Sequence, residues 1–173
     1  MHKFEESLAM SRAQADEPWW EDVYRAAFPS FAGMIYVADD GWAQRGGIDR
    51  VITLTSGKTL TVDEKSRSRD WPDIAWEYLS SVEDKKPGWC CKDLACDYIA
   101  YAFVPSRTCY LLPALQLRKA FLKHGRKWVQ LGRSRQNGFQ IIRAVNDGYT
   151  TASVAVPIRE SLDAIRDAMI VSW

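Results

Sequence analysis

The stretch that most limits what this chain can fold into is residues 44–65, Gln-Arg-Gly-Gly-Ile-Asp-Arg-Val-Ile-Thr-Leu-Thr-Ser-Gly-Lys-Thr-Leu-Thr-Val-Asp-Glu-Lys. Two runs rich in β-branched residues flank Thr55-Ser56-Gly57, the pattern of a β-hairpin with Gly57 in its turn. Asp49 stands at the start of the first strand and Asp63-Glu64-Lys65 closes the second, so an acid lies near each open end.

Loop length decides whether those acids meet. A two-residue Ser56-Gly57 loop sets Asp49 opposite Glu64 and mixes polar with apolar partners. A three-residue loop, with Gly57 supplying the positive φ of a bulge, pairs Leu54 with Lys58, Ile52 with Leu60 and Asp49 with Asp63. The second register sorts the faces better. Ile48, Ile52, Leu54, Leu60 and Val62 then share one face, and Asp49, Val51, Thr53, Thr59, Thr61, Asp63 and Lys65 share the other. Two carboxylates and one ammonium converge.

Like charges directly opposed destabilise a strand pair. A divalent cation would give Asp49 and Asp63 a reason to face each other, because Mg²⁺ takes carboxylate oxygens, keeps waters and needs only one or two protein carboxylates beside a phosphate. Mn²⁺ is the expected substitute. Lys65, on the same face, is placed to touch an attacking water or developing negative charge.

These residues resemble the PD-(D/E)xK nuclease superfamily, the restriction-endonuclease-like fold, with Asp49 as first acid, Asp63 as second and Lys65 as the lysine. Ile48 stands where the motif's name has proline. The resemblance implies Mg²⁺-dependent hydrolysis of a nucleic-acid phosphodiester, with the Glu64 backbone carbonyl as a further ligand. It also implies a mixed α/β core, αβββαβ-like, with a central mixed sheet and helices on both sides. Relatives often bring a carboxylate from the first helix near the metal, which puts Glu21, and beside it Glu17, in view; exposed helix acids more often only face solvent.

A chain of 173 residues, 47% apolar, is long enough for a sizeable core and is read as one domain, residues 1–173. No apolar run suits a membrane span, and the start Met-His-Lys-Phe-Glu-Glu lacks a signal-peptide layout, so the expectation is a cytoplasmic protein with no membrane partner. Cys90, Cys91, Cys96 and Cys109 form no paired Cys-x-x-Cys knuckles and are read as free thiols.

Residues 1–28 read as helical, with Asp16 as a cap, Pro18 near the start of a second piece, and an apolar stripe of Trp20, Val23, Tyr24, Ala27 and Phe28. Gln44, before Gly46 and Gly47, can hydrogen-bond a phosphate or a base, or simply belong to a turn. Arg67 and Arg69 continue the parity of Lys65. Residues 73–80 read as a third strand, on which Glu77 is a third site carboxylate or a partner of Arg67 or Arg69. Strands follow at 96–104 and 109–112, a helix at 113–124, a hairpin at 139–156 around Asp147-Gly148, and a helix at 158–170 with Ile158, Leu162, Ile165 and Met169 on one face.

Charge is segregated. Residues 98–146 contain no Asp or Glu and nine basic residues: Arg107, Arg118, Lys119, Lys123, Arg126, Lys127, Arg133, Arg135 and Arg143. With a net charge of +1, the rest of the chain carries −8. Solvated helix faces normally mix signs, so a polyanion is the natural partner, nucleic acid and DNA before RNA. Arg118, Lys119, Arg126, Lys127, Arg133 and Arg135 are the candidate phosphate contacts, with Arg67, Arg69 and Gln44; Trp128 and Phe139 are candidate stacking surfaces.

Three readings compete: a metal-dependent nuclease, a binding module of the same fold that holds nucleic acid without cutting it, and a domain whose basic span meets an acidic protein. The Asp-x-Lys spacing favours the first.

Overall fold

The computed structural model of the protein describes residues 17–173, so the expected helix before Pro18 and the Asp16 cap lie outside the described residues. The fold is mixed α/β. In chain order the elements are α1 (Trp19–Ala27), β1 (Phe31–Tyr36), α2 (Gly41–Gly46), β2 (Arg50–Leu54), β3 (Thr59–Arg67), β4 (Asp73–Ser81), β5 (Lys86–Pro87), β6 (Tyr98–Phe103), β7 (Thr108–Pro113), α3 (Ala114–Ser134), β8 (Gln140–Val145), β9 (Thr150–Pro157), α4 (Ile158–Ala164) and β10 (Met169–Ser172). They fall into two compact units.

The first unit, residues 17–70, Asp93–Ala114 and Asp167–Trp173, is built on a six-stranded sheet in the order β1-β2-β3-β6-β7-β10. The hairpin takes the three-residue loop: Ile52 pairs with Leu60 and Arg50 with Val62, and the Leu54 N–H donates to the Lys58 carbonyl at 2.9 Å. Gly57 sits at φ +81°, where a side chain would be strained, and its N–H closes the turn onto the Leu54 carbonyl. β1 adds antiparallel to β2, making a three-stranded meander, and β6 then lies parallel to β3 with Asp63 beside Ile99 and Lys65 beside Tyr101.

Helix α1 covers one face of this sheet. Its stripe of Trp20, Val23, Tyr24 and Phe28 packs with Ile52, Leu60, Val62, Ala100, Ala102 and Leu111, all buried. Each large side chain removed from water there contributes about 1.5–3 kcal/mol, which is why nine residues suffice to hold the helix in place.

The second unit, residues Trp71–Lys92 and Leu115–Arg166, carries an antiparallel sheet in the order β5-β4-β9-β8. Trp76 is its centre, fully buried, 4.9 Å edge-on to Trp128 and 6.1 Å stacked on Phe121, with its indole N–H donating to Ser161 Oγ at 3.1 Å. Helix α3 comes close enough to this sheet that a Cβ at Gly132 would meet Ile141 at 2.9 Å and Val154 at 3.2 Å. Among the described residues no helix is long and apolar enough to cross a membrane.

Several sequence expectations change here. The strand at residues 73–80 exists, but β4 pairs with β9 and β5 in the second sheet and does not extend the hairpin's sheet. Alternation along a strand reports its faces, not the sheet it joins. The connection from β3 to β6 therefore runs through β4 and β5 and holds no helix, unlike the expected αβββαβ order. The helix expected at 113–124 continues to Ser134, and the last helix stops at Ala164. Met169 belongs instead to β10, an edge strand on β7, because pairing with Leu111 offers its backbone a ladder that helical spacing alone does not reveal.

Candidate active site

The meander brings Asp49 and Asp63 together. Asp49 stands just before β2, its backbone held on both sides: its N–H donates to the Val62 carbonyl at 2.8 Å, and its carbonyl accepts the Val37 N–H at 2.9 Å. The bond to Val62 falls one residue off the Arg50–Val62 register, so Asp49 and Arg50 both lie against Val62 in a local irregularity where the paired register ends, and the expected Asp49–Asp63 strand pair does not form although the two carboxyls interact. Asp49 Oδ2 accepts the Glu64 N–H at 2.7 Å, which orients one carboxylate oxygen and leaves Oδ1 for other partners.

Asp63 is only 4% exposed. Lys65 Nζ donates to its Oδ1 in a close ion pair, and the Asp49 carboxyl is within hydrogen-bonding reach. Burial pushes the Asp63 carboxyl up to about 7; Lys65 pulls it down and Asp49 pushes it further up. Burial thus outweighs what the Lys65 ammonium gives back to Asp63. Cys96 lies near enough for Asp63 to matter: burial first, then the Asp63 charge, raises its thiol to about 12, so it stays neutral.

The same face continues to Arg67, whose Nε donates to the Tyr101 hydroxyl at 2.6 Å while its guanidinium lies 5.2 Å from the Tyr101 ring centroid. Tyr101 was not legible as a site residue. It sits inside an apolar run, and only the parallel β3–β6 pairing sets it beside Lys65.

Glu64 has the opposite environment. Its side chain points to the α1 face, where Arg50 grips it through Nε at 2.6 Å and Nη2 at 3.2 Å, and the Tyr24 hydroxyl donates to Oε1 at 2.6 Å. Burial raises the Glu64 carboxyl, and the Arg50 and Tyr24 hydrogen bonds oppose that rise. Burial likewise lifts the Tyr24 hydroxyl well above its ordinary value, with the Glu64 charge next in weight. This cluster was also missed, although Arg50 and Glu64 share the parity of Ile52 and Val62 and so were bound to meet on the buried face.

The structure places the two other expected site acids, Glu21 and Glu77, on other elements. Glu21 forms an i,i+4 ion pair with Arg25 at 2.6 Å on the outer side of α1, and α1 covers the sheet face opposite the acid pair. Glu77 lies on β4 in the second sheet. Among the described residues no group of three or more His, Cys, Asp or Glu side chains could hold a metal ion, so Asp49 and Asp63 stand as a pair. Gln44 is exposed on α2, and Arg69 is exposed past the end of β3.

The basic span lies mostly on α3. Lys119, Lys123, Arg126, Lys127 and Arg133 are exposed, Arg118 is half-buried, and Arg135 follows the helix in an exposed left-handed turn. Trp128 and Phe139, each 4% exposed, belong to the core and are not stacking surfaces. His124 stacks on Trp128 at 5.5 Å from within the helix. The four cysteines are free thiols.

Comparison of the chain with family models, with curated proteins and with solved structures returns no match.

Proposed function

We propose that the protein is a metal-dependent nuclease that hydrolyses nucleic-acid phosphodiesters at Asp49, Asp63 and Lys65, on a PD-(D/E)xK-like core. The observation that carries this is a buried Asp63 carboxyl with the Lys65 ammonium against it and the Asp49 carboxyl within hydrogen-bonding reach. The order α1, β1-β2-β3 meander, then β6 parallel to β3 supports the core assignment; the helix-free β3–β6 connection is its departure from that pattern.

The donor set fits a hard divalent cation. Both side chains offer carboxylate oxygens, and the nearby Cys96 stays a neutral thiol. Asp49 and Asp63 would hold the ion. The Glu64 carbonyl leaves the same strand edge as the N–H that anchors Asp49, which makes it the main-chain candidate for a third ligand. When bound, Mg²⁺ or Mn²⁺ polarises a phosphoryl oxygen and acidifies a water.

The residues themselves do the rest. The Glu64 N–H keeps Asp49 aimed, Lys65 donates to the attacking water or to negative charge growing on phosphorus, and Arg67, braced by Tyr101, supplies a second cation along the same face. Incubation of the purified protein with labelled single-stranded and duplex substrates, with Mg²⁺ or with EDTA, tests the proposal. Mg²⁺-dependent cleavage by wild type that is lost in Asp63→Asn supports it; intact substrate at saturating Mg²⁺ sinks it.

The Lys65–Asp63 ion pair favours a second reading, a non-cutting binding module in which that pair is structural. Binding without cleavage, unchanged in Lys65→Ala, is its signature.

A further inference from the structure

Helix α3 presents a single-sign face. Lys119, Lys123, Arg126, Lys127 and Arg133 fall at i, i+4, i+7, i+8 and i+14, along one exposed stripe about 21 Å long at 1.5 Å per residue. Among the described residues none of the five is paired with a carboxylate. Like charges at i,i+4 destabilise a helix, so Lys119 with Lys123 and Lys123 with Lys127 cost the isolated protein stability. Complementing the helix dipole accounts for Arg133 in the last turn but not for Lys119 near the other end.

The stripe ends in a cleft of about 620 Å³ bordered by Lys127, Gln130, Leu131, Arg133, Ser134 and Gln136. Two cations and four neighbours that include amide and hydroxyl groups suit a sugar–phosphate unit, which offers oxygen acceptors and little apolar surface. Aromatic side chains are the platforms of single-strand binding, and here Trp128 and Phe139 are turned into the core. A protein partner is the poorer fit as well, since interfaces are enriched in aromatics and depleted in lysine. A membrane surface would use a broad apolar face between the cations; the apolar face of α3, with Leu117, Ala120 and Trp128, is buried, leaving only Leu115 and Leu122 outward.

We infer that the outer face of α3, with the cleft at its C-terminal end, binds the phosphate backbone of duplex nucleic acid without reading sequence. The inference rests on the proposed function for its class of partner. It is tested without any cleavage, so its failure is separate from a failure of the acid pair.

The experiment is fluorescence anisotropy in EDTA with a 20-base-pair duplex and its single strand, over a series of salt concentrations. Each phosphate contact contributes a slope of about −0.9 to log K against log salt, so five contacts give up to about −4.5 on the duplex. The exposed variant Lys123→Gln/Arg126→Gln/Lys127→Gln is expected to flatten that slope by about 2.7. A control losing two exposed cations elsewhere in the same unit, Lys86→Gln/Arg159→Gln, is expected to keep it. An unchanged slope in the triple variant overturns the assignment of α3. Single strand bound as tightly as duplex overturns the choice of duplex, and capture by polyglutamate or phosphatidylserine vesicles in place of duplex overturns the choice of nucleic acid.

Discussion

Asp63 and Glu64 are neighbours on β3, both buried and both touching a cation, yet their environments differ in kind. Glu64 faces α1, where a two-pronged guanidinium and a tyrosine hydroxyl occupy its oxygens. Asp63 faces the other way, with one flexible ammonium on one oxygen and a second carboxylate beside it. A guanidinium matches a carboxylate in shape and can bond both its oxygens at once; an ammonium on one oxygen of Asp63 lacks that match. The first arrangement holds the sheet to its helix. The second leaves a buried carboxyl beside another carboxyl, and the proposed metal site draws on that arrangement.

The sharpest break in that comparison is Lys65→Ala. Both carboxylates remain, so Mg²⁺ should still bind by calorimetry, while cleavage falls by roughly 10² to 10⁴ as the water or the transition-state charge loses its partner. Cleavage at the wild-type rate would make Lys65 a bystander and shift the balance to the binding-module reading.

On the closed face the matching change is Arg50→Ala. It strands Glu64 without its guanidinium, and breaking a buried pair by removing one partner costs about 3–5 kcal/mol, measurable by urea denaturation. Arg50→Met/Glu64→Met removes both charges and should recover most of that loss. If Arg50→Ala unfolds at the wild-type midpoint, the pair is not what ties β2 to β3 on the buried face.

Asp63→Asn sharpens the comparison through pH. The folded-state pKa of Asp63, about 7, lies above its ordinary value of 3.8, so without divalent cation the folded state keeps a proton that the unfolded chain releases. This group therefore favours folding most below pH 4, and its contribution falls as pH rises to about 7, after which it is level. Asparagine has no such dependence. Relative to wild type, Asp63→Asn should gain about 2.6 kcal/mol between pH 5 and pH 8 in EDTA. A constant difference across that range would mean Asp63 is ionised throughout.

The smallest expected effect is Tyr24→Phe. It removes one of three hydrogen bonds to Glu64 and leaves Arg50 in place, for a loss of roughly 1.5 kcal/mol with no change in Mg²⁺ affinity. Altered metal binding in this variant would show that the two faces of β3 are coupled.

Much of the acid pair was legible in the chain. Gly57 and the alternation of Ile52, Leu54, Leu60 and Val62 admit one comfortable register, which holds as far as Arg50–Val62; the off-register bond of the Asp49 N–H to the Val62 carbonyl, just beyond it, was not legible. The Arg50–Glu64–Tyr24 cluster was half legible: parity put Arg50 and Glu64 on the buried face, but nothing local says that a helix tyrosine 40 residues before Glu64 reaches them. Glu77 lies on a strand that local alternation reveals in a sheet that it does not, because sheet membership depends on partners far along the chain. Trp128 and Phe139 are a parallel case, because an aromatic within a basic span reads alike whether it faces a base or a core.

By itself, then, the sequence determined the local matters: the α1 stripe, the hairpin and its loop, the shared parity of Asp63 and Lys65 on β3, and the acid-free basic span. These depend on 2.0- and 3.6-residue periodicities and on backbone restrictions that act over a few residues. Tertiary structure decided which strands share a sheet, that β10 pairs with β7, that Tyr101 stands beside Lys65, and that Asp63 is buried enough for its charge to be costly. Those outcomes turn on contacts between residues far apart in the chain, where loop-closure entropy and the burial of whole faces are settled together and no local pattern records the result.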